Sequence, residues 1–135
     1  MQKHFTIKNN IEQLPVLTHE LEKIGQQWQL DTSVVSSLNL VLEEAISNII
    51  FYAYDDNDEH EIVITAEKNA QTISLSITDD GKAFDPTKKE KPDVSLSAEN
   101  REIGGLGIFL IGKIMDSIEY KREDEKNTLT LTKLI

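Results

Sequence analysis

The sequence predicts an α+β domain of two layers, in which three helices cover one face of a mixed, mostly antiparallel sheet and a long loop interrupts the second half. Three observations point there. Apolar residues recur at helical spacing in some segments and alternate at strand spacing in others. The elements fall in the order β, α, α, β, β, loop, α, β, β, and the strands meet through turns too short for parallel crossovers. The chain of 135 residues is 39% hydrophobic and 28% charged, enough apolar material for one core. A single domain over 1–135 is therefore expected.

The first strand is HFTIK (4–8), where apolar and polar residues alternate. Asn9 and Asn10 suit a turn or a helix cap, and Ile11, Leu14, Leu17, Leu21, Ile24 and Trp28 then form a helical stripe, with Pro15 near its start, where proline costs least. Asp31, Thr32 and Ser33 offer N-caps for a second helix, whose face is Val34, Leu38, Val41, Leu42, Ala45, Ile46, Ile49 and Ile50 and which ends near Tyr54. The polar run DDNDEHE follows as a loop. EIVITAE (61–67) and TISLSIT (72–78), separated by KNAQ, read as a hairpin with one face in the core. From Asp79 to Gly107 no periodicity is sustained, and the segment contains Pro86, Pro92 and the charged run KKEKPD. So long a loop in a small domain is usually functional or disordered. IFLIGKIMDSI reads as a short apolar helix, and IEYKRE and NTLTLTKL as a closing pair of strands. Trp28 and the other aromatics are assigned to core packing.

Composition narrows the partners. With 14 basic and 24 acidic residues the net charge is -10, which repels nucleic acid and anionic membrane surfaces. There is no cysteine, which excludes disulfides and thiolate metal sites. The start MQKHFTIKNN lacks the apolar core of a signal peptide, and unbroken apolar runs fall far short of the about 20 residues that span a bilayer. A soluble cytoplasmic protein is expected.

Three segments carry candidate chemistry. In LEEAISNIIFYAY, Glu44 and Asn48 lie one helical turn apart at the margin of the apolar stripe. A carboxylate can accept a proton, and an amide carbonyl is a hard oxygen suited to magnesium, although a solvated helix margin carries such a pair by chance. In ITDDGKAFDP, Asp79 stands where a strand opens into a loop and can accept a hydrogen bond from an exocyclic amine, while Gly81 permits close approach to a flat ring. An ordinary turn also explains that glycine and Pro86. In IGGLGIFLIGKIM, Gly104, Gly105, Leu106 and Gly107 come immediately before a helix, whose open N–H groups and dipole suit a phosphate chain. This segment has neither a P-loop pattern nor the strand that precedes a Rossmann fingerprint.

Together the three segments, in this order and on these elements, resemble the N, G1 and G2 boxes of the GHKL ATPase superfamily with its Bergerat fold. EEAISNIIFYAY, DDGKAFDP, GGLGIFLIGKIMDSIEY and NTLTLTK are most similar to the anti-sigma factor serine/threonine kinase branch, over essentially the whole chain. The resemblance implies that Glu44 activates the attacking hydroxyl and that Asn48 holds Mg2+. It implies that Asp79 recognises the adenine of ATP, that Gly81 and Ala83 wall the base, and that Gly104, Gly105, Leu106 and Gly107 close over the phosphates. The ATP lid would run over 82–103. Tyr52 stands where many relatives carry histidine, and Ala83 where broader superfamily members carry glycine. The implied partners are a STAS-domain anti-sigma factor antagonist, phosphorylated on Ser or Thr, and a sigma factor, with a homodimer as the expected assembly.

Two other readings stay open on the residues. A non-catalytic switch, in which nucleotide orders the lid and selects a partner, would need Asp79 and the glycines but not Glu44. The catalytic domain of a two-component histidine kinase shares the boxes, yet His4, His19 and His60 lie in no dimerisation helix. Asp55, Asn57 and Glu59 are spaced like the start of an EF-hand, but His60 and Ala66 stand where glycine and the final glutamate are required, so a solvated loop is expected. Lys88, Lys89 and Lys91 are read as solvated loop charges.

Overall fold

The computed structural model describes residues 1–83 and 105–135. Strands β1 (Gln2–Lys8), β2 (Glu61–Lys68), β3 (Thr72–Asp79), β4 (Ser117–Glu123) and β5 (Lys126–Leu134) join α1 (Leu14–Gln27), α2 (Thr32–Tyr52) and α3 (Gly105–Ile114) in the expected order. The strands form one sheet in the order β1-β2-β3-β5-β4, and each pairing is antiparallel, so the mixed component of the expected sheet is absent among the described residues. Most of the expected lid, 84–103, together with Gly104, lies outside the described residues.

Alternation decides which face of the sheet is buried. Ile62, Ile64 and Ala66 on β2, Ile73, Leu75 and Ile77 on β3, and Leu129 and Leu131 on β5 are all buried, and between them stand Thr and Ser residues and, on β2, the exposed Val63. Register brings these residues opposite one another, with Ile64 facing Ile77, Ile77 facing Leu129 and Leu75 facing Leu131. The helices cover this face through Leu17, Leu21, Ile24 and Trp28 of the α1 stripe and Leu38, Val41, Leu42, Ala45 and Ile46 of α2. By length and composition α2 could cross a membrane, but here its apolar stripe belongs to the core. Phe51 corrects the assignment of the aromatics, being 58% exposed on the last turn of α2, off the core-facing stripe.

Local chemistry sets the ends of the elements. Asn10 caps the short helical turn Ile11–Gln13 by accepting from the Glu12 N–H. Asp31 occupies the N-cap of α2 in extended conformation without a side-chain bond, so its carboxylate acts there through the dipole alone. Asn69 accepts from the N–H groups of Gln71 and Thr72, which closes the β2–β3 turn. The helix α3 starts at Gly105, so Gly105, Leu106 and Gly107 lie in its first turn rather than before it. It also ends earlier than the apolar run suggests, because the Asp116 N–H turns to the Thr132 carbonyl and begins the next strand. The Lys133 ammonium donates to the Ile114 carbonyl at that helix end.

Among the described residues, three non-glycine residues have positive φ. Gln29 (54°) follows α1 in a left-handed turn closed by the Leu30 N–H on the Gly25 carbonyl. Asp124 (54°) and Glu125 (61°) form the two-residue loop between β4 and β5, as a mirror-image turn requires. Gln29→Gly and Glu125→Gly should each stabilise the fold by about 0.5–1 kcal/mol, read as a higher urea midpoint at unchanged slope.

Candidate functional site

The buried side of the sheet turns polar at one end. Ile77, Leu129 and Tyr120 lie in register across β3, β5 and β4, and two residues further along the same parity places Asp79, Asn127 and Arg122 side by side. Asp79 and Asn127 are each only 5% exposed. The Asp79 Oδ1 accepts from the Gly81 N–H at 2.9 Å and from the Asn127 amide at 3.0 Å. The Asn127 amide also donates to the Lys82 carbonyl at 2.9 Å, and its oxygen accepts from Arg122 at 3.0 Å and from the Tyr120 hydroxyl. Arg122 reaches the Gly81 carbonyl as well, at 3.0 Å. These hydrogen bonds therefore link three strands and the turn that follows β3.

Burial pushes the Asp79 carboxyl above the usual carboxylate range, against the hydrogen bonds from Asn127 and Gly81 that favour its ionised form. Among the described residues its hydrogen bonds fall on Oδ1. A carboxylate anchored through one oxygen in this way is oriented for an amine donor at the other.

The turn after Asp79 is pinned to the end of α2. A Cβ on Gly81 would lie 2.6 Å from both the Cβ and the carbonyl oxygen of Ala53, so this close approach requires glycine. The Lys82 N–H donates to that same carbonyl at 2.8 Å. Ala83 is exposed beyond it. Asn48 lies about one and a half turns back along α2 from Ala53, with Glu44 about one turn further, and both are half-buried. Glu43 is tied into the α1–α2 interface, accepting from Asn39, which in turn accepts from Thr18. The first turn of α3, with Gly105, Leu106 and Gly107, belongs to a helix that packs against α2. The three segments singled out in the sequence thus converge on α2.

The Asn48 side-chain nitrogen is buried without a hydrogen-bond partner among the described residues. Amide nitrogen and oxygen exchange places by a half-turn, so one polar end of Asn48 is uncommitted, which fits a side chain with a further ligand to take. Among the described residues no group of three His, Cys, Asp or Glu could hold a metal alone. One protein oxygen combined with substrate phosphates is nonetheless how magnesium is commonly bound.

The profile of the histidine kinase-like ATPase domain matches residues 7–133. The chain belongs to this family. It is 32% identical over 112 residues to the serine/threonine-protein kinase BtrW of Bordetella bronchiseptica, covering 83% of this chain and 79% of the relative. To the serine-protein kinase RsbW of Listeria monocytogenes it is 31% identical over 119 residues, covering 85% and 75%. An anti-sigma F factor of Clostridium botulinum is 28% identical over 102 residues, covering 74% and 71%. The fold superposes on the RsbU and RsbW domains of a Mycobacterium tuberculosis protein with a TM-score of 0.71 at 15% identity, covering 99% of this chain and 32% of that one. The resemblance to the GHKL ATPases and the expected two-layer fold are both borne out.

For a histidine kinase-like ATPase domain, the residues that sequence reasoning missed are Tyr120, Arg122 and Asn127. Their signal was present as parity, since Asn127 continues Leu129 and Leu131, and Arg122 continues Ile118 and Tyr120, at positions where the pattern calls for apolar residues. Because the native state holds Asp79 with a raised pKa, ionising it opposes folding, and stability is lost as pH rises through that value. Asp79→Asn keeps the shape and an oxygen for both donors, so it should stabilise the chain by about 1 kcal/mol near pH 7. Thermal melts should show that gain shrinking as pH falls below the native pKa.

Proposed function

We propose that this chain is an ATP-dependent protein serine/threonine kinase that phosphorylates a STAS-type anti-sigma factor antagonist and in another state sequesters a sigma factor. The reading is supported by relatives named as serine kinases and as an anti-sigma factor. The observation that carries it is on α2. With Glu43 committed to Asn39, Glu44 is the carboxylate of the pair available to the site, one turn from an uncommitted Asn48 amide. A scaffold that only bound nucleotide would have no use for that base.

In this reading Asp79 accepts a hydrogen bond from the adenine amino group while Asn127 and the Gly81 N–H hold its other oxygen. Gly81 and Ala83 flank the base, and Gly104, Gly105, Leu106 and Gly107 offer backbone N–H groups to the phosphates. Magnesium, held by Asn48, would neutralise charge on the phosphates. Glu44 orients the acceptor hydroxyl and takes its proton as the oxygen attacks the terminal phosphoryl group, and ADP leaves. A cytoplasmic homodimer completes the proposal.

Calorimetry with Mg-ATP should give micromolar binding in the wild type and none in Asp79→Ala. Glu44→Gln should keep the binding but lower phosphoryl transfer to the antagonist by about 10²–10⁴-fold. A wild type that binds ATP but never phosphorylates the antagonist would overturn the kinase assignment. A Glu44→Gln variant that regulates its partner as well as wild type would show a nucleotide-dependent switch instead.

A further inference from the structure

His60 ends the α2–β2 connection and lies between two carboxylates. Its Nε2 is 2.8 Å from Asp56 Oδ1 and its Nδ1 is 3.1 Å from Asp80 Oδ1. A neutral imidazole carries a single N–H and can donate to one of these oxygens; only the imidazolium donates to both. The ring is fixed in place. It stacks on Tyr54 with centroids 4.1 Å apart and planes 13° from parallel. The backbone on which it is carried exchanges hydrogen bonds with Asn9, the His60 N–H donating to the Asn9 side chain at 2.8 Å and the Asn9 N–H to the His60 carbonyl at 3.0 Å.

Asp80 is the residue between the buried Asp79 and the pinned Gly81. Any restraint on Asp80 therefore restrains the turn that orients Asp79. We propose that His60 is a positioning residue for this turn, its imidazolium clasping Asp80 to the α2–β2 loop so that nucleotide affinity weakens when the ring loses its proton. The inference rests on the reading of Asp79 as the contact to adenine.

The surrounding charges support the clasp. On the ring's own loop Asp56 is a direct partner, and Asp55 is drawn away by Lys82 at 3.2 Å. Glu59 and Glu61 flank His60 in sequence, and both pair with Lys8 of β1, at 3.7 and 3.1 Å. From β3 come Asp79 and Asp80. From β5, Lys126 shares with His60, Asp79 and Asp80 the lining of a cavity of about 360 Å³. Tyr54 adds no charge, because burial and the charges of Asp79 and Asp80 keep its phenol protonated far above the ordinary range. The sum is negative around the ring. Hydrogen bonding to Asp56 is the main cause that raises the His60 pKa above the usual imidazole value; burial opposes it, and the hydrogen bond to Asp80 adds a smaller rise. The clasp is thus closed below the ordinary imidazole pKa and opens as pH rises through the raised one. Asp56 and Asp80 are about half exposed, 48% and 49%, so the effect should be a few-fold and should weaken with salt.

The test is ADP affinity by calorimetry near pH 6, 7.5 and 9 for the wild type, His60→Gln and Asp80→Asn. Comparing wild type with variant at each pH cancels the ionisation of the nucleotide itself. The wild type should bind about fivefold more tightly than either variant near pH 6, and the ratio should approach one near pH 9. A merely structural role would give a ratio that does not change with pH, and that result overturns the proposal. Asp80→Asn alters an exposed side chain and carries the test alone if His60→Gln does not fold. Folded wild type that binds no ADP at any pH would overturn both the clasp and the nucleotide site, whereas binding with a flat ratio would overturn the clasp only.

Discussion

A carboxylate held at the edge of the core is the constraint around which the rest of this molecule is arranged. The two-residue period of β3 sends Ile73, Leu75, Ile77 and Asp79 to the same side, so this carboxylate is continuous with the hydrophobic core. Withdrawing a carboxylate from water is costly unless its oxygens are hydrogen-bonded. The compensation comes from β5 and β4 through Asn127, Arg122 and Tyr120, which explains why the row stays polar across three strands. Of these groups Asn127 bonds one oxygen of Asp79 directly, and the carboxyl still has a raised pKa, as expected where hydrogen bonds offset burial only in part.

The second arrangement is the coupling of this row to α2. Gly81 packs directly on Ala53, and the Lys82 N–H binds the Ala53 carbonyl. The helix bearing Glu44 and Asn48 and the turn bearing Asp79 are therefore fixed relative to each other by backbone contacts, which vary less than side-chain rotamers. A rigid spacing of this kind is what would allow two ends of one bound ligand to be positioned at once. The network of Thr18, Asn39 and Glu43 secures α2 from its other side against α1.

Part of the site was legible because its chemistry is local in sequence. Glu44 and Asn48 are neighbours by helical geometry, and Asp79 and Gly81 belong to one turn. The hairpin partners of the sheet were equally legible, since alternation and short connections leave few registers that bury one face. His60 was not legible. No period marks it, and its loop reads as a run of solvated charges, yet the chain returns to place it between Asp56 and Asp80. Phe51 was misassigned because an aromatic in an apolar helix suggests core, while its angular position on α2 puts it outside the stripe.

The sequence by itself determined the element order, the two layers, the buried face of each strand and the family, because periodicity and contiguous motifs are properties of neighbouring residues. Only the tertiary structure decided that Asn127 anchors Asp79 while Arg122 holds the Gly81 carbonyl, that Thr18 of α1 binds the Asn39 to which Glu43 is bonded, and that Ala53 meets Gly81. The contacts between elements join residues 21 to 48 positions apart, with no spacing rule to announce them; they exist because strand register and helix packing bring distant backbone segments together.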